Sequence, residues 1–281
     1  MSTLSEFAGR WFVVKVGGEL AADRTRLAGS VGGAVGEFLA AGIRVCVVHG
    51  GGPQATELGR RLGLEPTIVG GRRVTDPDTL QVMKMTVAGQ VSVDVAAAMR
   101  LAEVPALCTT GVSAGLIDSV RRPPQVVTGA GPDPVDLGLV GDIVAVDTAG
   151  LERIASVGFV PVLGCLGGDG GGNVFNINAD TVATRVAAKL RAAKLFLVSN
   201  VPGVLRDKND PSSRMPKLSA AEAREQMASG VIAGGMIPKV EESLAMLDEG
   251  IEAIHIVGID PPSSILDEAR EPGSRGTAFV R

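Results

Sequence analysis

The sequence predicts an α/β fold, a three-layer αβα sandwich in which a mainly parallel sheet lies between helices. Three observations lead there. Apolar runs at residues 12–16, 44–48, 106–108, 160–163, 194–198 and 253–257 are almost uninterrupted by polar residues, as strands buried on both faces are. Helix-length stretches at 25–41, 53–62, 78–102, 151–157, 179–190, 220–230 and 238–249 separate most of them, the interleaving that parallel sheets need for their crossovers. Hydrophobic residues make up 45% and charged residues 21% of 281 positions, enough for a full core in one large domain or two closely joined lobes.

Taken in order, the elements carry their own punctuation. The first run ends in Lys15-Val16-Gly17-Gly18, an inward lysine beside two glycines. The second passes through His49-Gly50-Gly51-Gly52 into Pro53, which suits the first turn of a helix. Between 116 and 146, short β-like pieces are broken by Pro123-Pro124, a turn cluster at 129–134 and Gly138, so hairpins over an edge of the sheet are expected there. The glycine run 167–172 before Asn173 either divides an N-lobe of about 1–170 from a C-lobe of about 171–281 or is a loop within one domain. Ser219 followed by Glu222 is a capping box opening the 220–230 helix.

Composition narrows the function classes. A net charge of −4, no tyrosine and a single tryptophan disfavour nucleic acid, which calls for a basic surface and stacking platforms. Cys46, Cys108 and Cys165 stand apart without a CxxC spacing, so reduced, buried thiols are expected and no metal site is assigned. The first residues lack the basic and apolar regions of a secretory signal, and Glu37 and Arg44 interrupt the longest apolar stretch. A cytoplasmic protein without a membrane partner is the expectation.

The glycine loops that follow strands point to an anion. Consecutive glycines let backbone N–H groups converge on phosphate, and a helix N-terminus adds partial positive charge. Neither G-x-x-x-x-G-K-[ST] nor a strand-borne G-x-G-x-x-G occurs, so a Walker-type NTPase and a Rossmann dehydrogenase lack support. In Asn176-Ile177-Asn178-Ala179-Asp180, an extended segment puts the two amides on one face. Asp180 then begins or caps the helix. Lys239 follows Gly234-Gly235-Met236-Ile237-Pro238 at a helix N-terminus, where a lysine opposes the dipole unless it faces an anion.

These residues carry a resemblance. V-V-K-V-G-G, V-V-H-G-G-G-P, G-R-R-V-T-D, N-I-N-A-D-T-V-A, V-P-G-V and G-G-M-I-P-K-V stand in the order seen in acetylglutamate kinases, between about residues 12 and 255. The chain is identified as similar to that branch of the amino acid kinase family. The resemblance implies an eight-stranded amino acid kinase fold with hairpins over the acceptor site. It also implies transfer of phosphoryl from ATP to the γ-carboxylate of N-acetyl-L-glutamate, a step towards arginine, with Mg²⁺ carried by the nucleotide and a homodimer as the assembly. Lys15 and Lys239 resemble two charge-neutralising lysines and Asp180 the carboxylate that holds them. Gly51, Gly52, Arg73, Asn176 and Asn178 resemble the acceptor contacts. The nucleotide is expected at Gly17, Gly18 and Gly50, at Asn200, Val201, Pro202, Gly203, Val204 and Leu205, and at Gly234, Gly235 and Met236.

The chain departs from the family pattern in places. Gly111-Val112-Ser113-Ala114-Gly115 replaces a G-L-S-G-K-D-like turn, and Asn200 stands where an Asp is usual. Gly258-Ile259-Asp260 replaces the D-G-R associated with arginine feedback, and little precedes the first strand, so neither feedback nor a hexamer is expected. A kinase acting on acetylaminoadipate, or on aminoadipate or glutamate held by a carrier protein, is the alternative. A hydrolase built on Ser113, with His255 later in the chain, is a remote one, because G-x-S-x-G requires a strand, a sharp elbow and a helix.

Overall fold

The computed structural model describes residues 3–127, 129–207, 209–232 and 236–280. Numbering the strands of the central sheet alone, β1 is Trp11–Val16, β2 Arg44–His49, β3 Ala106–Thr110, β4 Val160–Gly164, β5 Lys194–Val198, β6 Lys217–Ser219, β7 Ala253–Val257 and β8 Thr277–Val280. They lie in the order β6-β8-β7-β5-β1-β2-β4-β3. Every pairing from β7 across to β3 is parallel, whereas β8 runs antiparallel to β7 and takes β6 with it. The α/β class and the mainly parallel central sheet read from the apolar runs are thus what the chain forms.

Side-chain alternation divides the core into two layers. Trp11, Val13, Cys46, Val48, Leu163, Leu195, Leu197, Ile254 and Ile256 pack on one face under Ala55, Leu151, Val182 and Val186 from the helices above. Phe12, Val14, Val16, Val45, Val47, Val162, Phe196 and Val257 pack on the other against Val31, Phe38, Val95, Met99 and Ile265. Phe12 is fully buried, with the rings of Phe38 and Phe196 at 5.1 and 5.8 Å. Burying such a side chain stabilises by about 1.5–3 kcal/mol.

Two long predicted helices each contain a π-helical stretch. Arg24–Leu27 and Gly33–Ala40 flank Ala28–Gly32, and Pro77–Met83 and Ser92–Leu101 flank Lys84–Val91. The latter helix starts one residue before the predicted 78, because the Asp76 carboxylate caps the Thr79 N–H at 2.7 Å and Pro77 takes the first turn. Asp147 likewise caps the helix predicted at 151–157, so that it begins at Thr148. The Ser219/Glu222 capping box is present.

A second sheet, in the order Val174–Asn176, Leu166–Gly168, Ile117–Arg121, Gly141–Val146, grows from the end of β4. Together with the pair Gln125–Val126 and Pro134–Val135 it accounts for the predicted hairpins. The parallel strands β1, β2, β4 and β3 finish in one row, Val16 beside His49 beside Gly164 beside Thr110. Loops leaving the carboxyl ends of parallel strands form the usual ligand crevice of open α/β sheets.

Candidate active site

Lys15 shares the face of Trp11 and Val13, so β1 aims it at the helix Ala179–Lys189. Its Nζ lies 2.8 Å from Asp180 Oδ1, with side chains 10% and 12% exposed. Sequence left open whether Asp180 begins or caps that helix. The cap is Asn178, whose side chain accepts the Asp180 N–H at 2.9 Å. Asp180 therefore sits in the first turn, where the helix dipole favours its charge, and its carboxylate is available to the lysine. A desolvated ion pair contributes little net stability against an apolar pair of the same shape. Its presence at a strand end is better explained by chemistry than by folding.

Two glycine loops flank the pair. Gly17 and Gly18 follow β1, and Gly50, Gly51 and Gly52 follow β2 into the helix Gly52–Arg61 with Pro53 in its first turn. A Cβ on Gly18 would come within 2.6 Å of Gln54 Oε1 and 2.9 Å of Pro53 Cδ, so the loops touch. Gln54 ties them by donating from Nε2 to Gly18 O. The Gly50 N–H donates to Val16 O at 3.2 Å and is spent on joining the strand ends. A Cβ on Gly17 or Gly52 would meet nothing within 4 Å. His49 is fully buried beneath this loop, with Nδ1 2.9 Å from Gly50 O and Nε2 3.0 Å from Ser92 Oγ. Burial pushes its pKa below the ordinary imidazole value, against the pull of the Gly50 carbonyl.

Arg73 lies on a short hairpin of Ile68–Val69 with Arg72–Arg73. Its Nη2 donates to Gly52 O at 3.1 Å and to Thr56 Oγ1 at 2.7 Å, which places the guanidinium against the second glycine loop. Asn176 ends Val174–Asn176 and donates from Nδ2 to Thr75 Oγ1 at 3.1 Å. Asn178 is exposed and engaged as the helix cap. The glycine run 167–172, which also follows a strand, is a hairpin turn and not a phosphate cradle. Asp169 Oδ1 accepts the N–H groups of Gly171 and Asn173, both at 2.9 Å, and Oδ2 accepts Asn173 Nδ2 at 2.7 Å. A carboxylate of the chain itself occupies the donors that an anion would need.

The segment from Asn200 to Leu205 leaves β5, next to β1. Asn200 Nδ2 donates to Glu19 Oε2, which joins this segment to the short helix Gly18–Ala21 after the first glycine loop. Met236 opens the helix Met236–Asp248. Gly234 and Gly235 lie outside the described residues, as does the side chain of Lys239, whose backbone stands in the first turn of that helix. Sequence reasoning missed Glu19 and Thr75, both tied to site residues by side-chain contacts between distant elements. Thr75 lies in the G-R-R-V-T-D motif beside Arg73, whereas nothing local in the sequence marks Glu19.

The hydrolase reading fails on geometry. Ser113 lies on a 3-10 turn with Ala114 at φ 53°, and the chain continues into the strand Ile117–Arg121 instead of a helix. His255 is the third residue of β7, fully buried, stacked on Phe196 at 4.9 Å, with Nδ1 2.8 Å from Glu268 Oε1. An exposed serine has no access to it.

A kinase of the small-molecule type is the class that this fold and strand-end site define, and comparison with known proteins agrees. The model of the amino acid kinase family matches residues 10–258, and the chain belongs to that family. It is 57% identical over 240 residues to the acetylglutamate kinase of Sorangium cellulosum, covering 85% of this chain and 84% of that protein. It is 40% identical over 281 residues to the acetylglutamate kinase of Myxococcus xanthus, covering 99% and 91%. Among solved structures, N-acetylglutamate synthase from Neisseria gonorrhoeae, complexed with coenzyme A and N-acetyl-glutamate, superposes with a TM-score of 0.82 at 25% identity. That match takes in 99% of this chain and 61% of the synthase, so the chain spans less than two thirds of that protein's length. Carbamate kinase from Giardia lamblia bound to AMP-PNP shares the fold at a TM-score of 0.65 and 16% identity, over 97% and 98% of the two chains.

Proposed function

We propose that this kinase transfers the γ-phosphoryl group of ATP to the side-chain carboxylate of N-acetyl-L-glutamate, giving N-acetyl-L-glutamyl 5-phosphate on the route to arginine. The observation that carries the reading is the buried Lys15–Asp180 pair between two glycine loops at the strand ends, in a chain so similar to acetylglutamate kinases. An acceptor carboxylate with a pKa near ~4.3 is ionised at neutral pH and needs no base. The site fits that chemistry, because both histidines of the chain are fully buried and held towards the neutral form by desolvation. A carboxylate oxygen attacks the γ-phosphorus in line, the bond to the β–γ bridging oxygen breaks, and ADP leaves. Lys15 from β1 and Lys239 from the helix start neutralise charge on the phosphoryl group in flight, and Asp180 orients the lysines. Backbone N–H groups of the first two glycine loops, that of Gly50 apart, hold phosphate oxygens, and Mg²⁺ carried by the nucleotide would supply further neutralisation of the phosphate charge. The adenine nucleotide is assigned to Asn200 to Leu205 and to Gly234, Gly235 and Met236.

ADP release measured with N-acetylglutamate, N-acetylaminoadipate, N-acetylaspartate and free glutamate tests the substrate. The highest kcat/KM is expected with N-acetylglutamate, and equal or better turnover of acetylaminoadipate would displace it. Desolvation lowers the Arg73 pKa from its ordinary value, yet guanidinium stays charged and offers a planar fork to the acceptor's α-carboxylate. Arg73→Ala is expected to raise the acceptor KM about ten- to a hundredfold, as loss of a hydrogen bond to a charged group does. KM for ATP should move little. An equal rise in both would remove Arg73 from the acceptor side.

We also place the protein in the cytoplasm as a homodimer. Among the described residues, no helix is long and apolar enough to cross a membrane. Strand β3 is the edge of the central sheet, and Leu107 on it, with Met85, Val93 and Leu101 on the helical stretch before it, is exposed. An unpaired edge beside apolar side chains is a surface that a second copy can cover. Light scattering should give twice the chain mass for the wild type and a monomer for Leu101→Asp with Leu107→Asp. A monomeric wild type would refute the assembly.

A further inference from the structure

We infer that Thr277, held in place through Glu268, is a positioning residue for the nucleotide side of the cleft. The inference rests on the reading of Asn200 to Leu205 as nucleotide contacts. Thr277 opens β8, and its side chain is fully buried. Its hydroxyl accepts the Val204 N–H at 2.8 Å and donates to Met215 O at 2.6 Å. A hydroxyl is the one neutral group of this size that accepts and donates from a single atom. The segment also lies directly against it, since a Cβ on Gly203 would stand 2.6 Å from Thr277 Oγ1 and 3.0 Å from Thr277 N. Val204 O in turn accepts the Met215 N–H at 2.9 Å, so three hydrogen bonds fix this one stretch.

Glu268 holds Thr277 from the other side. This carboxylate is fully buried on the helix Ser264–Arg270 and accepts four donors. Oε1 takes His255 Nδ1–H at 2.8 Å and Gly273 N–H at 2.7 Å; Oε2 takes Arg275 N–H at 2.9 Å and Gly276 N–H at 2.7 Å. Burial alone would raise its pKa, but the hydrogen bonds from His255 and the backbone outweigh that and keep it ionised. Arg214 clasps the same loop from outside, donating to Gly273 O at 3.0 Å, Ser274 O at 3.2 Å and Gly276 O. A loop saturated in this way delivers Thr277 to a fixed place. The buried anion is satisfied by its four donors and by the nearby Lys194 ammonium. What it adds is a fixed course for the turn that leads into Thr277.

Three variants test this with titration calorimetry of MgADP, steady-state kinetics and hydrogen exchange of the amides at 201–205. Thr277→Val keeps the shape and removes both hydroxyl bonds. It is expected to weaken MgADP binding and raise the ATP KM about tenfold, the scale of a lost buried hydrogen bond. The acceptor KM should stay within about twofold, a split that general loosening of the fold would not produce. Thr277→Ser should restore wild-type binding. If Thr277→Val does not fold, Arg214→Gln removes the guanidinium bonds to the 273–276 loop, keeps the stem that lies beside Gly203, and is expected to raise the ATP KM a few fold with the same split. Wild-type MgADP affinity in Thr277→Val, with MgADP still protecting 201–205, would overturn the positioning role alone. Absence of MgADP protection at 201–205 in the wild type would overturn the nucleotide reading of the segment and the inference with it.

Discussion

Replacing Lys15 with Met is expected to lower kcat about a hundred- to a thousandfold, the loss that follows removal of one oriented charge from a transition state. Methionine has nearly the length and bulk of the lysine stem, so packing beside Val13 is little disturbed, whereas the ammonium 2.8 Å from Asp180 disappears. Because that charge matters most while the phosphoryl group is in transit, the effect should fall on kcat and leave the ATP KM within a few fold. Asp180→Asn should be comparably slow: the amide keeps the outline but no longer orients the ammonium. Each single change breaks the buried Lys15–Asp180 pair by removing one partner, at a typical cost of about 3–5 kcal/mol in stability. Lys15→Met with Asp180→Asn should therefore be less slow, and less destabilised, than the sum of the two. Lys239→Ala belongs to the same cycle and should also act on kcat. Near-wild-type turnover in Lys15→Met would refute the mechanism.

What the sequence discloses depends on whether the cause is local. β1, β2, β4, β5 and β7 were legible because strands buried on both faces are forced into continuous apolar runs. The edge strand β6 and its neighbour β8 were not, since Lys217–Ser219 is three residues long and Thr277–Val280 opens on a polar one. The helix Ser264–Arg270 was missed for a similar reason: it is short, and its buried members include Ser264 and Glu268. At the site, Lys15, Asp180 and the glycine loops announced themselves through residue type and order, and the structure brings Lys15 and Asp180 into contact. The roles of Asn178 and of the 167–172 turn were hidden, because both depend on where one side-chain oxygen goes. Asn178 Oδ1 turns back onto its own helix, and Asp169 fills its own loop. Thr277 could not be found at all, since Val204 and Met215 stand far away in the chain, and Glu268 was hidden because its partners are His255 and backbone N–H groups of the turn after its own helix, which no residue pattern marks.

Gly17 and Gly18 should separate ligand contact from loop packing. At Gly18 a methyl group would collide with Gln54 Oε1 at 2.6 Å and with the Pro53 ring at 2.9 Å, and would press on Gly51 Cα at 3.4 Å. Gln54 is pinned by its own bond to Gly18 O, and Pro53 is fixed in the first turn of its helix, so neither yields without parting the loops. Gly18→Ala is therefore expected to cost about 1–3 kcal/mol of stability, as overpacking does. A displacement of about 1 Å at this place should lower kcat/KM for both substrates on the order of a hundredfold. Gly17 is the counterpart, with an extended backbone at φ −71° and ψ 154° that any residue adopts, and open space where its Cβ would stand. Gly17→Ala should melt at or slightly above the wild-type temperature, since it only restricts the unfolded chain. Whatever it loses in ATP affinity is then caused by a ligand that needs the space. A Gly17→Ala enzyme with wild-type stability and a wild-type ATP KM would show that nothing approaches that glycine, and would move the phosphates away from the first loop.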